Sequence, residues 1–134
     1  MKPFPLKIVT PDGVRFDGTA EELVVRTTTG DVGILAGHIN FVSALGMGEA
    51  MVRLDGKKRY GACIGGMVSV VNGAVTLLPT TFEWSDAIDT ERANASKQRA
   101  EAVLANKNSA STDIQLAKAR LKRALIRSSV ANRK

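Results

Sequence analysis

The sequence predicts an α+β protein: an N-terminal antiparallel β-sandwich or flattened barrel of about eight to ten short strands, then a C-terminal antiparallel hairpin of two helices. Three observations predict it. All 12 glycines and all 4 prolines lie in residues 1–85, and none follows. Short β-type runs separated by turn signals fill that first part, whereas alanine-rich helix formers fill the second. Charge divides at the same place. Residues 1–85 hold eight Lys+Arg and eight Asp+Glu, residues 86–134 hold eleven and five, and the whole net charge of +6 sits in the tail. The domain reading is therefore 1–85 for the body and 86–134 for the hairpin.

Along the body, Leu6–Thr10 alternates and stops at Pro11-Asp12-Gly13, and Val14–Phe16 stops at Asp17-Gly18. Glu22–Thr27 is the next run, followed by Val32–Leu35, Phe41–Leu45 and Gly48–Leu54. Asp55-Gly56 turns the chain back through Lys57–Ile64. Met67–Val71 and Val75–Leu78 flank Asn72-Gly73, the strongest hairpin signal present, because a two-residue primed turn needs positive φ at both positions. No helical pattern alternates with these runs, which disfavours a parallel α/β sheet.

The tail reads as one helix from Ile88 to about Ala105, capped by Asp86 or Asp89, a polar turn at residues 106–111, and a second helix. Thr112-x-x-Gln115 has capping-box spacing, and Asp113 lies where the helix dipole favours an acid. Ile114, Ala117, Leu121, Ala124 and Leu125 fall on one face of the second helix. Ile88, Ala95, Ala102, Val103 and Leu104 form a thin stripe on the first. Alanine buries little area, so each contact contributes well under the ~1.5–3 kcal/mol of a buried Leu or Ile. Such a hairpin is expected to detach easily.

Composition excludes several classes. One cysteine, Cys63, cannot form an internal disulfide, and its apolar setting in Tyr60–Ile64 points to a buried structural thiol in a reducing compartment. No apolar h-region follows Met1–Pro5, so no signal peptide is expected, and no run approaches the ~20 apolar residues of a membrane span. With one histidine and no zinc spacing, phosphate-binding loop or nucleophile elbow, neither a metal site nor a catalytic residue is expected. A basic tail raises nucleic-acid binding, but the tail contains no aromatic residue on which a base could stack. A membrane-surface helix lacks its Trp, Phe and Leu anchors.

Gly30-Asp31-Val32-Gly33-Ile34-Leu35-Ala36-Gly37-His38, with Leu45 and Gly48 following, resembles the signature of the ε subunit of bacterial F-type ATP synthases. The likeness covers essentially the whole chain, including the break and the basic second helix. It implies a ten-stranded sandwich in the rotating central stalk, packed on the γ subunit and touching the c-ring of the proton- or sodium-translocating enzyme through Asp31, Val32 and His38. It implies that the hairpin extends toward the αβ head and blocks ATP hydrolysis, with Lys118, Arg120, Lys122, Arg123 and Arg127 facing acidic residues of β. The chain would then be a non-catalytic subunit on the cytoplasmic face of the bacterial plasma membrane, reaching the membrane only through the complex and binding no nucleic acid.

Ile88-Asp89-Thr90-Glu91-Arg92-Ala93 is similar to the segment with which some family members bind ATP, and Glu83 stands upstream at the matching place. The resemblance implies a regulatory ATP held by Glu83, Asp89, Arg92, Ala93, Arg99, Arg123 and Arg127, with no cofactor required. Arg92 and Arg99 are seven residues apart and return to nearly the same helix face. The bland alternative leaves Asp89 as an N-cap and Arg92 as a surface partner of Asp89 or Glu91. For His38, a contact role is preferred over proton handling, and Trp84 is expected to pack at the junction.

Overall fold

The computed structural model describes residues 1–133 and divides into two compact units, Met1–Trp84 and the segment from Ser85 onward. In the first unit, ten strands form two five-stranded sheets. They are β1 (Phe4–Thr10), β2 (Gly13–Ala20), β3 (Glu22–Thr27), β4 (Gly30–Ile34), β5 (Phe41–Ala44), β6 (Met47–Leu54), β7 (Lys57–Ile64), β8 (Met67–Val71), β9 (Ala74–Leu78) and β10 (Thr81–Trp84). One sheet runs β2-β1-β9-β8-β5 and the other β10-β7-β6-β3-β4. The architecture is the expected sandwich, and its pairings are antiparallel with one exception: β1 lies parallel to β9, with Leu6 opposite Val75 and Ile8 opposite Leu77.

Side chains alternate across the strands, and the inner set supplies the core. Phe4, Leu6 and Ile8 of β1, Leu23 and Val25 of β3, Val68 and Val70 of β8, and Val75 and Leu77 of β9 are all buried. Asn72-Gly73 and Asp55-Gly56 make the primed turns their sequence demands, with φ of 49° and 82° at the first and 50° and 77° at the second. Elsewhere the strands outrun their sequence signals. β2 continues through Asp17-Gly18 to Ala20, because β1 pairs with it as far as Phe4 opposite Ala20. Thr81–Trp84, which carries no turn-bounded pattern of its own, becomes β10 by pairing with Gly61–Ile64 of β7.

The sandwich is closed along one side by Trp84. Its ring meets Phe82 edge-on at 4.9 Å and Phe16 at 6.2 Å. Its Nε1–H donates to the Arg15 carbonyl at 3.0 Å, which ties β10 of one sheet to β2 of the other. The Arg59 guanidinium lies 3.9 Å from the indole centroid, a cation–π contact. Beneath it, Phe82 occupies space that only glycine leaves open at position 61, where a Cβ would overlap the ring.

The second unit holds a 3₁₀ turn (Ser85–Ala87), α1 (Thr90–Ala105) and α2 (Ser111–Ala131). Asp89 is the N-cap of α1 and accepts from the Arg92 N–H at 3.0 Å. The capping box expected at Thr112 does not form. Ile114 N–H already donates to the Ala110 carbonyl, so Ala110 is the N-cap, without a side-chain bond, and Thr112 lies inside the helix. The preceding turn is closed instead by the Ser109 hydroxyl, which donates to the Val103 carbonyl at 2.8 Å.

The hairpin seam is also phased differently from the expected stripes. Ala93 and Ala100 of α1 and Ala117 and Ala124 of α2 are buried, whereas Ala102 and Leu125 are exposed. A helix built largely of alanine offers little hydrophobic contrast around its circumference, so neighbouring phases look alike in sequence. Among the described residues, no helix is long and apolar enough to cross a membrane.

Two outcomes test this packing. Gly61→Val forces the Phe82 ring to move and is expected to cost about 1–3 kcal/mol, measured as a lowered urea midpoint. Burial pushes the Cys63 thiol up to about 12 from 9.0. The native thiol should therefore resist alkylation at pH 8, where the urea-unfolded chain reacts readily. The folded pKa exceeds the unfolded one, so this group's contribution is fully present below pH 9 and is lost as pH rises from 9 toward 12. A Cys63→Ala variant should lack that component of alkaline destabilisation.

Candidate functional site

Three groups of residues were expected to act, and the structure distributes them unevenly. Asp31 and Val32 open β4, beside the β3–β4 turn. The Arg26 guanidinium of β3 bonds the Asp31 carboxylate and has its pKa raised by that hydrogen bond and by the charge. Val32 turns partly inward against the core. His38 lies past the opposite end of β4, whose rise separates Asp31 from Leu35 by about 13 Å. The structure therefore does not bring Asp31 and His38 into one cluster.

His38 is held in its loop. Its N–H donates to the Leu35 carbonyl at 3.2 Å, and its Nδ1 lies 2.8 Å from the Ile39 carbonyl. A carbonyl only accepts, so Nδ1 carries the proton. The ring stands edge-on to Phe41 at 5.7 Å. Asn40 accepts from the Asn72 N–H at 2.9 Å, which fastens the loop to the β8–β9 turn.

Beside this loop lies a surface that reasoning from sequence missed. Val42 of β5, Met67 and Val71 of β8 and Leu78 of β9 point away from the core and are 47–60% exposed. The register aligns Ala44, Met67 and Leu78 in one row and Val71 with Ala74 in another. Ile39, 77% exposed, and Leu35 extend the apolar character into the loop. The signal was available as apolar residues at the second parity of each strand, but alternation alone reads them as incidental.

On the hairpin, Asp89 caps α1, and Arg92 and Arg99 are exposed on the flank next to the Ala93/Ala100 seam. Ala93 is buried in that seam, so its methyl contributes packing. Glu83 stands on β10 opposite Ala62 of β7. The five cations of α2 do not form one band. At about 100° per residue, Arg120, Arg123 and Arg127 fall within about 60° of one another, while Lys118 and Lys122 project from a different side. Arg120 and Arg127 border the Ala117/Ala124 seam, and Arg123 lies farther out.

The two helices of a hairpin are related by a local two-fold axis perpendicular to their common plane, which maps each flank onto its counterpart. Arg92 and Arg99 each precede a seam alanine, Arg123 does the same on α2, and Arg120 and Arg127 lie nearer the seam on the same flank. All five arginines therefore line one side of the hairpin. Lys97 marks the other side, where it pairs with Glu101 at 3.8 Å. Among the described residues, no group of three or more His, Cys, Asp and Glu is arranged to hold a metal ion. What the arrangement offers chemically is a cationic strip for an anion and an apolar sheet face for a partner.

Comparison with known proteins accounts for both units. The family model described as ATP synthase, Delta/Epsilon chain, beta-sandwich domain matches residues 3–85, and that described as ATP synthase, Delta/Epsilon chain, long alpha-helix domain matches residues 86–132. A protein named ATP synthase epsilon chain from Ruminococcus albus is 44% identical over 135 residues, covering 100% of each chain. Its namesake from Bacillus velezensis is 44% identical over 131 residues, covering 98% of each. In fold, the chain resembles a subunit of the Euglena gracilis mitochondrial ATP synthase with a TM-score of 0.82 at 22% identity, covering 95% of this chain and 80% of that one. A chain of the Tetrahymena thermophila mitochondrial ATP synthase central stalk and c-ring gives 0.61 at 14% identity, covering 96% of each. With sandwich and hairpin both matched and bacterial relatives aligned end to end, the chain belongs to the ATP synthase delta/epsilon family, as an epsilon chain of the bacterial F-type enzyme.

Proposed function

We propose that the chain is a non-catalytic rotor subunit of the central stalk, in which the sandwich transmits c-ring rotation and the hairpin restrains ATP hydrolysis. The observation that carries this reading is the full-length correspondence of both units to bacterial epsilon chains. The exposed apolar face of Val42, Met67, Val71 and Leu78 suits the γ subunit, because burying it removes apolar area that water otherwise covers. His38 and Ile39 border that face and extend it. Asp31, held by Arg26, is the polar foothold suited to the c-ring at the other end of β4, with Val32 beside it. The proton or sodium ion that drives rotation passes through other subunits. This chain works on the cytoplasmic face of the plasma membrane as a peripheral part of the complex.

Inhibition belongs to the second unit. In its extended state the arginine stripe Arg120, Arg123 and Arg127 faces acidic residues of β, with Lys118 and Lys122 adding charge from the adjoining side. Electrostatic docking of this kind weakens as salt shortens the Debye length. In its folded state the hairpin binds ATP as a regulatory ligand. Arg92, Arg99, Arg123 and Arg127 meet the phosphates and Asp89 lies at the nucleoside end, so ATP holds inhibition off. The cap geometry of Asp89 is compatible with both roles, since one carboxylate oxygen accepts from Arg92 N–H and the other is left for a ribose hydroxyl.

Two experiments test these assignments. Truncation after Ser85 should leave a folded sandwich that still captures γ and should raise ATP hydrolysis by the reassembled head. Val71→Glu in the same body should weaken γ capture about tenfold or more without lowering its thermal midpoint. Unchanged hydrolysis on truncation would remove the inhibitory role. Separately, calorimetric titration of ATP into the full chain should give saturable binding that Arg92→Ala abolishes. Asp89→Asn keeps a capping oxygen and should preserve helicity, whereas Asp89→Ala should cost about 0.5–2 kcal/mol of helix stability. Loss of binding in both Asp89 variants assigns a ligand role beyond the cap, and retention in Asp89→Asn confines the residue to capping.

A further inference from the structure

We propose that Arg26 is the positioning residue of the Asp31 foothold, seated by Gly46 and Gly48 in a bulge where side chains would crowd its stem. This rests on the c-ring reading of Asp31 above and adds to it the residues that fix where the carboxylate stands.

The seat begins with a break in register. β3 and β6 pair from Glu22 opposite Arg53 to Val24 opposite Met51. Pairing resumes where Thr27 bridges Leu45. Two residues of β3, Val25 and Arg26, therefore stand against five, residues 46–50. The surplus bulges the longer stretch, and a bulge re-aims the side chains beside it. The Gly46 N–H donates to the Arg26 carbonyl at 2.9 Å, which closes the bulge against β3.

Both glycines supply space and not backbone freedom, because neither has a positive φ. A Cβ at Gly48 would stand 2.7 Å from the Arg26 Cβ and 3.2 Å from its Cγ. One at Gly46 would stand 3.3 Å from the same Cγ. The Arg26 stem therefore lies across the bare backbone of the bulge, and its guanidinium reaches β4 on the other side. There Arg26 and Asp31 are directly opposed in the antiparallel ladder. Nε–H donates to one carboxylate oxygen, and Nη2 lies 3.5 Å from the other.

The two side chains are 52% and 57% exposed, so the pair adds little to stability. Its consequence is orientation. An exposed aspartate turns freely and has to be ordered when a partner docks. A guanidinium fork that engages both oxygens completes that ordering beforehand.

The test is titration of the full-length chain, in complex with γ, onto detergent-solubilised c-ring. Asp31→Ala is expected to weaken binding. Arg26→Ala should weaken it about two- to fivefold, the effect of losing a half-exposed pair. Arg26→Lys keeps the charge without the fork and should fall between Arg26→Ala and the native chain. In the Asp31→Ala background, Arg26→Ala should add nothing, because Arg26 acts through Asp31. Arg53→Ala removes a like charge, paired with Glu22 at the far end of β3, and should leave affinity unchanged. Gly48→Ala keeps both charged groups but displaces the stem, and should match Arg26→Ala. Thermal midpoints check the body in each variant, and Arg26→Ala carries the test should Gly48→Ala unfold it. Native or tighter binding by Arg26→Ala, beside weakened Asp31→Ala, overturns the positioning role and leaves the c-ring reading intact. A further loss in the double variant, or an equal loss in Arg53→Ala, also overturns it. Native binding by folded Gly48→Ala overturns the seat. Native binding by Asp31→Ala overturns the c-ring reading and this proposal together.

Discussion

Alternation along β1, β3, β8 and β9 is the constraint on which the rest of the body depends. Once Leu6, Ile8, Leu23, Val25, Val68 and Leu77 are committed to the interior, every other position in those strands faces outward. Register follows, because a one-residue slip would exchange the two sets. The slot at Gly61 exists because Phe82 arrives on the inner face of β10 and needs the room. The same commitment aligns Met67, Val71 and Leu78 on the outside of the other sheet, where they stay exposed. Core and exposed apolar face are two halves of one pattern.

The hairpin rests on a weaker principle. Its seam is made from methyl groups, which bring the helices close yet bury little apolar area per contact. Closeness gathers the flanking arginines, and thin burial keeps separation of the helices inexpensive. A seam of leucines would hold the pair more firmly and set the flanks farther apart. Small residues therefore set the flanking arginines close together at the expense of stability that a larger core would supply.

Much of this was legible in the residues. Asn72-Gly73 and Asp55-Gly56 announced their turns because only certain residue types accept positive φ. Asp89 announced the start of α1, because a short acceptor before a run of helix formers is a cap. Thr112 misled because spacing alone cannot show where the first helical hydrogen bond forms, and Ala110 already accepts it. Thr81–Trp84 was missed because its strand character comes from β7 and not from its own pattern. The parallel pairing of β1 with β9 joins segments almost seventy residues apart, and no local signal encodes it. For the candidate site, the cations of the hairpin themselves were visible. Their sorting onto two flanks was not, because it depends on which alanines are buried, and alanines look alike in sequence.

The contacts of Trp84 also give the molecule an optical property. It is the only tryptophan in the chain, and it closes the last strand of the sandwich. Its indole is nearly enclosed, donates a hydrogen bond to Arg15 and lies under the cation of Arg59. Emission from a single indole in such a setting reports on β10, β2 and β7 at once, since each contributes a contact that shifts its colour or yield. The protein thus carries an intrinsic fluorophore at the last residue of the body, able to follow events at that boundary in an assembled motor without any attached dye.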